Sequence, residues 1–313
     1  MSGSVVVALG GNALSPSGER ATVQNQFRHT RESLAPIVEF VRKGWRVAVV
    51  HGNGPQVGDE LLRGEAARGE VEPLPLGVLV ASTAGWIGYM IQQSLENALR
   101  RAGADRRVAT VLTQVLVDPD DPALDEPTKF VGSEVRAATR EALEREGWDV
   151  AEDARGNLRR RVPSPTPREI VEATVVADLV ERGDVVIAAG GGGVPVYRDG
   201  ERGLEGLDVV LDKDRAAALL GREIGASVLL ILTDVDAVYR GYGTPDARAL
   251  RRLTADEARR LVSTGELGPG SMRPKVDAAR SFVEGGGERA VIADLEEALP
   301  ALEGEAGTEV VPG

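Results

Sequence analysis

The chain has 313 residues, 42% hydrophobic and 27% charged, with 49 acidic against 37 basic side chains and a formal charge of −12. That sign argues against nucleic acid as a partner, and the absence of cysteine excludes disulfides, zinc–thiolate sites and cysteine nucleophiles while fitting a reducing cytosol. No run of about 18 uninterrupted apolar residues predicts a membrane span, and the start, MSGSVVVALGG, lacks the basic and long apolar regions of a signal peptide.

The length suits two domains or one large one, and aromatics at 4% leave Val, Leu, Ile and Ala to build the core. Val5–Leu9 reads as a buried strand running into Gly10, Gly11 and Asn12. Thr30–Lys43 reads as a helix, because Leu34, Ile37, Val38 and Val41 recur at helical spacing and Gly44 stops them. Trp45–Val50 is a second strand, followed by HGNGPQVG. Trp86–Ala102 is an amphipathic helix, with Trp86, Ile87, Met90, Ile91, Leu95 and Leu99 on one face, and Val108–Val117 is a strand. Further on, Ile170–Glu181 reads as a helix and Asp184–Ala189 as a strand ending in GGGG. Asp214–Ile224 is a helix and Val228–Leu232 a strand. Thr254–Thr264, Lys275–Glu284 and Leu295–Leu302 read as helices, with strands at Ala290–Ile292 and Glu309–Val311. Continuous apolar strands alternating with helices predict an open, mainly parallel sheet covered on both faces, a three-layer αβα sandwich.

Residues 118–167 break the rhythm. They carry DPDDPALDEP, a short helix near Glu134–Glu146, and RGNLRRRVPSPTP. A long surface loop and a small protruding subdomain or lid both fit; the second is preferred, because structureless loops of this length are uncommon in compact domains.

Four strand ends carry glycine, a small polar residue or both: LGGN at 9–12, HGNG at 51–54, AGGGGVP at 189–195 and LTDVDAVY at 232–239. Each alone could be a tight βα turn. Together, at the carboxyl ends of strands in an open α/β sheet, they mark where a ligand binds. Successive backbone N–H groups there can cradle an anion, and Asn12 and Asn53 add uncharged donors. None matches the GxGxxG or GxxxxGK[ST] pattern, which disfavours a dinucleotide site and a P-loop.

Three of the few lysines sit in telling places: Lys129 in EPTKFVG, Lys213 between Asp212 and Asp214 in LDKDRAAALL, and Lys275 in GSMRPKVDAA. A nucleotide γ-phosphate and an anionic acceptor repel each other, so their reaction depends on positioning and on neutralising charge at the transferring group. Lysine is a mobile point charge suited to phosphate, and an aspartate between lysines fixes their ammonium groups. A carboxylate-like acceptor is already ionised and needs no general base. His51 is accordingly read as a hydrogen-bonded structural residue.

At these residues the sequence resembles the carbamate kinases of the amino acid kinase family. The resemblance runs along nearly the whole chain through ALGGNAL, VHGNGPQVG, PTK, RRVPSP, AAGGGGVPV, LDKD, LLILTDVDAVY, YGTP and GSMRPKVDAA to LEGEAGTEVVP. It implies an αβα sandwich with a mainly parallel eight-stranded sheet, a cytoplasmic homodimer, and transfer of a phosphoryl group between ATP and carbamate with Mg2+ as cofactor. By the same resemblance Gly10, Gly11, Asn12, Gly52, Asn53 and Gly54 hold the acceptor and γ-phosphate. Lys213 and Lys275 stabilise phosphate charge, Asp214 orients them, and Lys129 replaces a lysine that other branches carry before their GG. Asp212, Thr233, Asp234, Tyr239, Gly270 and Met272 border the nucleotide. An acceptor lobe over residues 1–210, including 118–167, and a nucleotide lobe over 211–313 follow. The chain departs from the family's usual wording at PTKFVG, STAGWIGY, PLGVL and SMRPK, so that Gly77, Ala84 and Arg273 stand where other residues are usual. Ala84 enlarges or reshapes the acceptor side. A kinase for another small carboxylate or phosphonate, and a catalytically silent nucleotide-binding protein on the same fold, remain as alternatives.

Overall fold

The computed structural model describes residues 3–16, 19–132, 134–153, 156–267 and 272–313. Its frame is an eight-stranded sheet. From edge to edge the strands are Arg252–Thr254, Thr308–Val311, Arg289–Asp294, Val228–Thr233, Ser4–Leu9, Arg46–His51, Val185–Ile187 and Val108–Thr110. All neighbours pair parallel except Arg289–Asp294 with Thr308–Val311. The apolar runs are buried on both faces, as parallel strands must be. Val6, Ala8, Ala48, Val50, Leu229 and Ile231 face one core, with the helices Ala173–Glu181, Lys213–Glu223, Ala255–Thr264 and Met272–Glu284. Val5, Val7, Leu9, Val47, Val49, Leu230 and Leu232 face the other, with Ala35–Arg42, Leu76–Arg101 and Ala298–Glu303. This is the expected three-layer αβα sandwich. Because Val228–Thr233, Ser4–Leu9, Arg46–His51 and Val185–Ile187 are adjacent and parallel, the turns that follow them stand side by side along one edge of the sheet.

Several boundaries differ from those read in the sequence. The expected helix Thr30–Lys43 is two helices, Val23–Ser33 and Ala35–Arg42, broken at Leu34. Pro36 sits in the first turn of the second, where its missing N–H is harmless, whereas mid-helix it would remove a bond. The helix expected from Trp86 starts at Leu76, directly after Pro75. The single strand expected over Val108–Val117 is two, Val108–Thr110 and Gln114–Leu116, which belong to different sheets. The bend between them is held by the Thr113 hydroxyl, which donates to the Val111 carbonyl at 2.9 Å. Ile170 lies in the strand Glu169–Ile170, and the helix begins at Ala173. The last expected helix, Leu295–Leu302, shortens to Ala298–Glu303. A helix unread in the sequence, Gly54–Ala66, follows the HGNG turn.

Residues 118–167 contain a three-stranded antiparallel sheet, Lys129–Val131, Leu158–Val162 and Asp149–Glu152. The helix expected near Glu134–Glu146 is a single turn, Ala137–Thr139, followed by Arg140–Arg145. Val131, Val135, Trp148, Val150 and Val162 bury themselves against Val57, Leu61, Leu79, Val80 and Val210. This third core binds the small sheet to the helices Gly54–Ala66 and Leu76–Arg101.

Candidate active site

The site begins where the central strands end. The LGGN turn is a single 3-10 turn, Gly11–Ala13, lying close to the next strand: a Cβ on Gly10 would stand 3.2 Å from the Leu232 carbonyl oxygen. One strand away, a Cβ on Gly52 would stand 3.3 Å from Cδ of Lys213 and 3.7 Å from the backbone nitrogen of Gly11. The stem of Lys213 therefore packs on Gly52, whose turn adjoins the backbone of Gly11, so that LGGN, HGNG and Lys213 are neighbours. Asn12 lies in the 3-10 turn; its side chain is outside the described residues, as is Gly270.

Charge enters from three directions onto two carboxylates. Asp212 caps the helix Lys213–Glu223, accepting from the backbone nitrogens of Asp214 at 3.0 Å and Arg215 at 3.2 Å. Such a cap satisfies amides that the helix itself cannot. The same carboxylate accepts from Lys129 Nζ at 3.0 Å, which brings the small sheet to the mouth of the cleft. Asp214, 3% exposed, binds Lys213 through Oδ1 and Lys275 through Oδ2 at 2.9 Å. Lys275 is 6% exposed and begins the second turn of the helix Met272–Glu284. Three ammoniums are bonded to two carboxylates here, and Asp234 lies near enough to act on Lys275 as well.

The environment tunes each group. Burial disfavours the Asp214 carboxylate, but Lys213 and Lys275 outweigh it and hold the carboxyl below its ordinary value. Burial likewise opposes ionised Asp212, and Lys129 and Lys213 overcome it. The two lysines diverge. Burial pulls Lys213 down despite Asp214, with Lys275 repelling it, whereas for Lys275 the attraction of Asp214 outweighs burial and pushes it up.

The acceptor side is uncharged and packed. Asn53, 2% exposed, donates through Nδ2 to the Thr83 hydroxyl at 2.9 Å, and that hydroxyl donates back to the Leu79 carbonyl at 2.8 Å. The turn Gly190–Gly192 closes over it, with Ala189 in the left-handed region at φ 48°, a conformation that a non-glycine residue rarely adopts. His51 is fully buried. Its Nδ1 donates to the Gly52 carbonyl at 3.0 Å, and Nε2, beside Gly190 and Ala84, has no hydrogen-bond partner among the described residues. Burial drives its pKa from 6.5 down to about 4, so the ring is neutral. Gly54 opens the helix Gly54–Ala66.

The opposite flank is the expected nucleotide side. Thr233 ends the strand Val228–Thr233 and donates to Asp234 at 3.2 Å. Tyr239 donates its hydroxyl to Asp236 at 2.9 Å and tilts against Tyr242, ring centroids 5.8 Å apart. Met272 opens the helix that carries Lys275. The structure thus brings Gly10, Gly11, Gly52, Lys213, Asp214, Lys275, Asp212 and Lys129 into one connected cluster. Tyr239 is tied to Asp236 and has no bond to that cluster among the described residues.

The hydrogen bond from Asn53 to Thr83, the ring of Tyr242 and the packing of Gly191 on Asn53 were not read from the sequence. The run of four glycines after a strand was the available signal for the last; the bond to Thr83 carries none, because its partner lies thirty residues earlier in the chain.

An open, mainly parallel sheet whose strand ends carry glycine turns, with three lysines gathered on two carboxylates, suits a phosphotransferase. The chain belongs to the amino acid kinase family, whose profile matches residues 3–294. It is 47% identical to a carbamate kinase of Pyrococcus furiosus over 98% of this chain and 99% of that one. It is 49% identical to a carbamate kinase of Halobacterium salinarum, over 98% of each. Among solved structures it is similar to the carbamate kinase of Giardia lamblia bound to citric acid, with a TM-score of 0.94 and 35% identity over 99% of both chains.

Proposed function

We propose that this protein is a carbamate kinase, transferring a phosphoryl group reversibly between ATP and carbamate to give ADP and carbamoyl phosphate. The observation that carries the reading is the Lys213–Asp214–Lys275 cluster, with Lys213 packed on Gly52 beside the LGGN turn, in a chain nearly half identical to carbamate kinases along its length. Carbamate is ionised at neutral pH, so its oxygen attacks without a base. Backbone amides of Gly10, Gly11, Gly52 and Gly54, with Asn53, hold the acceptor and the transferring group. Lys213 and Lys275 neutralise the charge that builds on the equatorial and leaving oxygens, and Asp214 keeps both ammoniums in register. Lys129 reaches the same group from the small sheet. Thr233, Asp234, Tyr239, Met272 and Gly270 border the nucleotide.

Mg2+ fits as a companion of the nucleotide. Among the described residues no group of three or more His, Cys, Asp or Glu side chains forms a cage, and Asp212 and Asp214 are both bonded to lysine. The ion would be held chiefly by phosphate oxygens, as Mg2+ commonly is, and would add charge neutralisation there. Residues 1–210 form the acceptor lobe and 211–313 the nucleotide lobe in this reading. The half-exposed Val78 and Tyr89, on one face of the helix Leu76–Arg101, support a homodimer, and the lack of cysteine supports the cytoplasm.

Purified protein given ADP, carbamoyl phosphate and Mg2+ is expected to form ATP; a folded protein that forms none contradicts the proposal. The buried Nε2 of His51, without a hydrogen-bond partner among the described residues and beside the small Ala84, favours a second reading, a different small carboxylate as acceptor. ADP release with a panel of carboxylates separates the two: carbamate as the best substrate sustains the first, and another acceptor turned over faster sustains the second.

A further inference from the structure

Lys129 reaches the cleft on a strand that belongs to neither face of the main sandwich, so its position must be set by whatever holds that strand. Beside the buried Val131, three contacts do so. A Cβ on Gly58 would stand 1.9 Å from Cα and 2.2 Å from the nitrogen of Gly132, so here two backbones touch directly and no larger residue fits. The Gly132 nitrogen donates to the Gly54 carbonyl at 2.8 Å, at the first residue of the helix that follows HGNG. Arg159 Nε, on the neighbouring strand of the small sheet, donates to the Gly132 carbonyl at 3.0 Å. Gly132 itself has φ +77°, which favours glycine. The contact lies three residues beyond Lys129, whose ammonium ends 3.0 Å from Asp212.

We propose that Gly58, Gly132 and Arg159 form a backbone clamp that positions Lys129, making this lysine and the HGNG turn one rigid unit. Catalysis of this kind is sensitive to displacements of about 1 Å. A methyl group at residue 58 cannot be absorbed by rotating a side chain, because the atoms it meets are backbone. It must lift the strand from the helix and carry Lys129 away from Asp212. Gly58, Gly132 and Arg159 are positioning residues that act through Lys129. The inference rests on the reading of Lys129 as a group that meets the transferring phosphoryl.

The test is a double-mutant cycle on ATP formation, with kcat, KM for ADP and the melting temperature measured for each variant. Lys129→Ala is expected to lower kcat about 100-fold, the scale of a lost transition-state charge contact. Gly58→Ala is expected to lower kcat at least about tenfold with KM for ADP within about twofold, and to lower it less than about twofold further when Lys129 is already alanine. Arg159→Ala, which leaves the glycines untouched, is expected to show a smaller loss with the same dependence on Lys129, and it carries the test if Gly58→Ala does not fold. Losses that multiply fully in the double variants, or a Gly58→Ala enzyme with normal kcat, overturn the clamp while leaving the site reading intact. A Lys129→Ala enzyme with normal kcat overturns the reading of Lys129, and the clamp falls with it.

Discussion

Two glycine turns stand two strands apart on the same edge of the sheet and do opposite things. At Gly11 a Cβ would meet no heavy atom of the described residues within 4 Å. At Gly190, Gly191, Gly192 and Gly193 a Cβ would stand 2.4, 2.2, 2.7 and 2.2 Å from His51 Nε2, Asn53 Nδ2, the Leu211 carbonyl oxygen and Val115 Cγ2. Gly11 leaves space open in the first turn; the glycines of the second let its walls close. In the proposed reading the first keeps room for a ligand, while the second packs Asn53 and His51 in place.

Substitutions should separate the two roles, and the filled turn should respond most. Gly192→Ala meets backbone on one side and carries φ +94°, so a loss of more than about 4 kcal/mol is expected in denaturant unfolding. A stable Gly192→Ala protein would show that the turn is not filled.

His51, between the turns, gives the next largest effect through pH. Its folded pKa of about 4 lies below the ordinary 6.5, so as pH falls below 6.5 the unfolded chain takes up a proton that the folded one refuses. Stability from this group is full above pH 6.5 and declines toward pH 4, by up to about 3 kcal/mol. Unfolding measured across that range should be flatter in His51→Gln; an unchanged slope would mean that the ring is not held neutral.

The open turn should behave in the reverse way. Gly11→Ala is expected to shift stability by no more than about 0.5 kcal/mol, while turnover falls at least about tenfold, an activation change of about 1.4 kcal/mol. Normal turnover would indicate that nothing needs the space. The smallest effect belongs to Thr83→Val, which removes the hydroxyl holding Asn53 and should weaken acceptor binding by about 1 kcal/mol, read as a rise in its KM with kcat little changed.

The main sheet was legible because its strands are apolar on both faces, a pattern that survives without knowledge of any partner. The helix Val23–Ser33 was not, because the residues it buries are Gln26, Thr30 and Ser33. Gln26 accepts from Gln56 at 2.8 Å and Ser33 donates to the Ala13 carbonyl at 2.6 Å, so their burial depends on distant partners. The small sheet was hidden for a related reason. Strands such as LRRRV bury aliphatic stems and a stacked guanidinium: Arg160 lies 4.1 Å from the ring centre of Trp148. In the site, Lys213, Asp214 and Lys275 stood out by sequence context, and the strand order then explained how they meet. Gly58 and Gly132 were invisible, because a glycine needed for close approach looks the same in a sequence as one in a turn.

In the proposed mechanism the ammonium groups held on Asp214 neutralise the charge of the transferring group beside the LGGN and HGNG turns. The direct test is the single-turnover rate of phosphoryl transfer from carbamoyl phosphate to ADP in Lys275→Ala beside the unaltered enzyme, with the fold monitored by circular dichroism. A drop of about 100- to 1,000-fold with a native spectrum is the result predicted; an unchanged rate would contradict it.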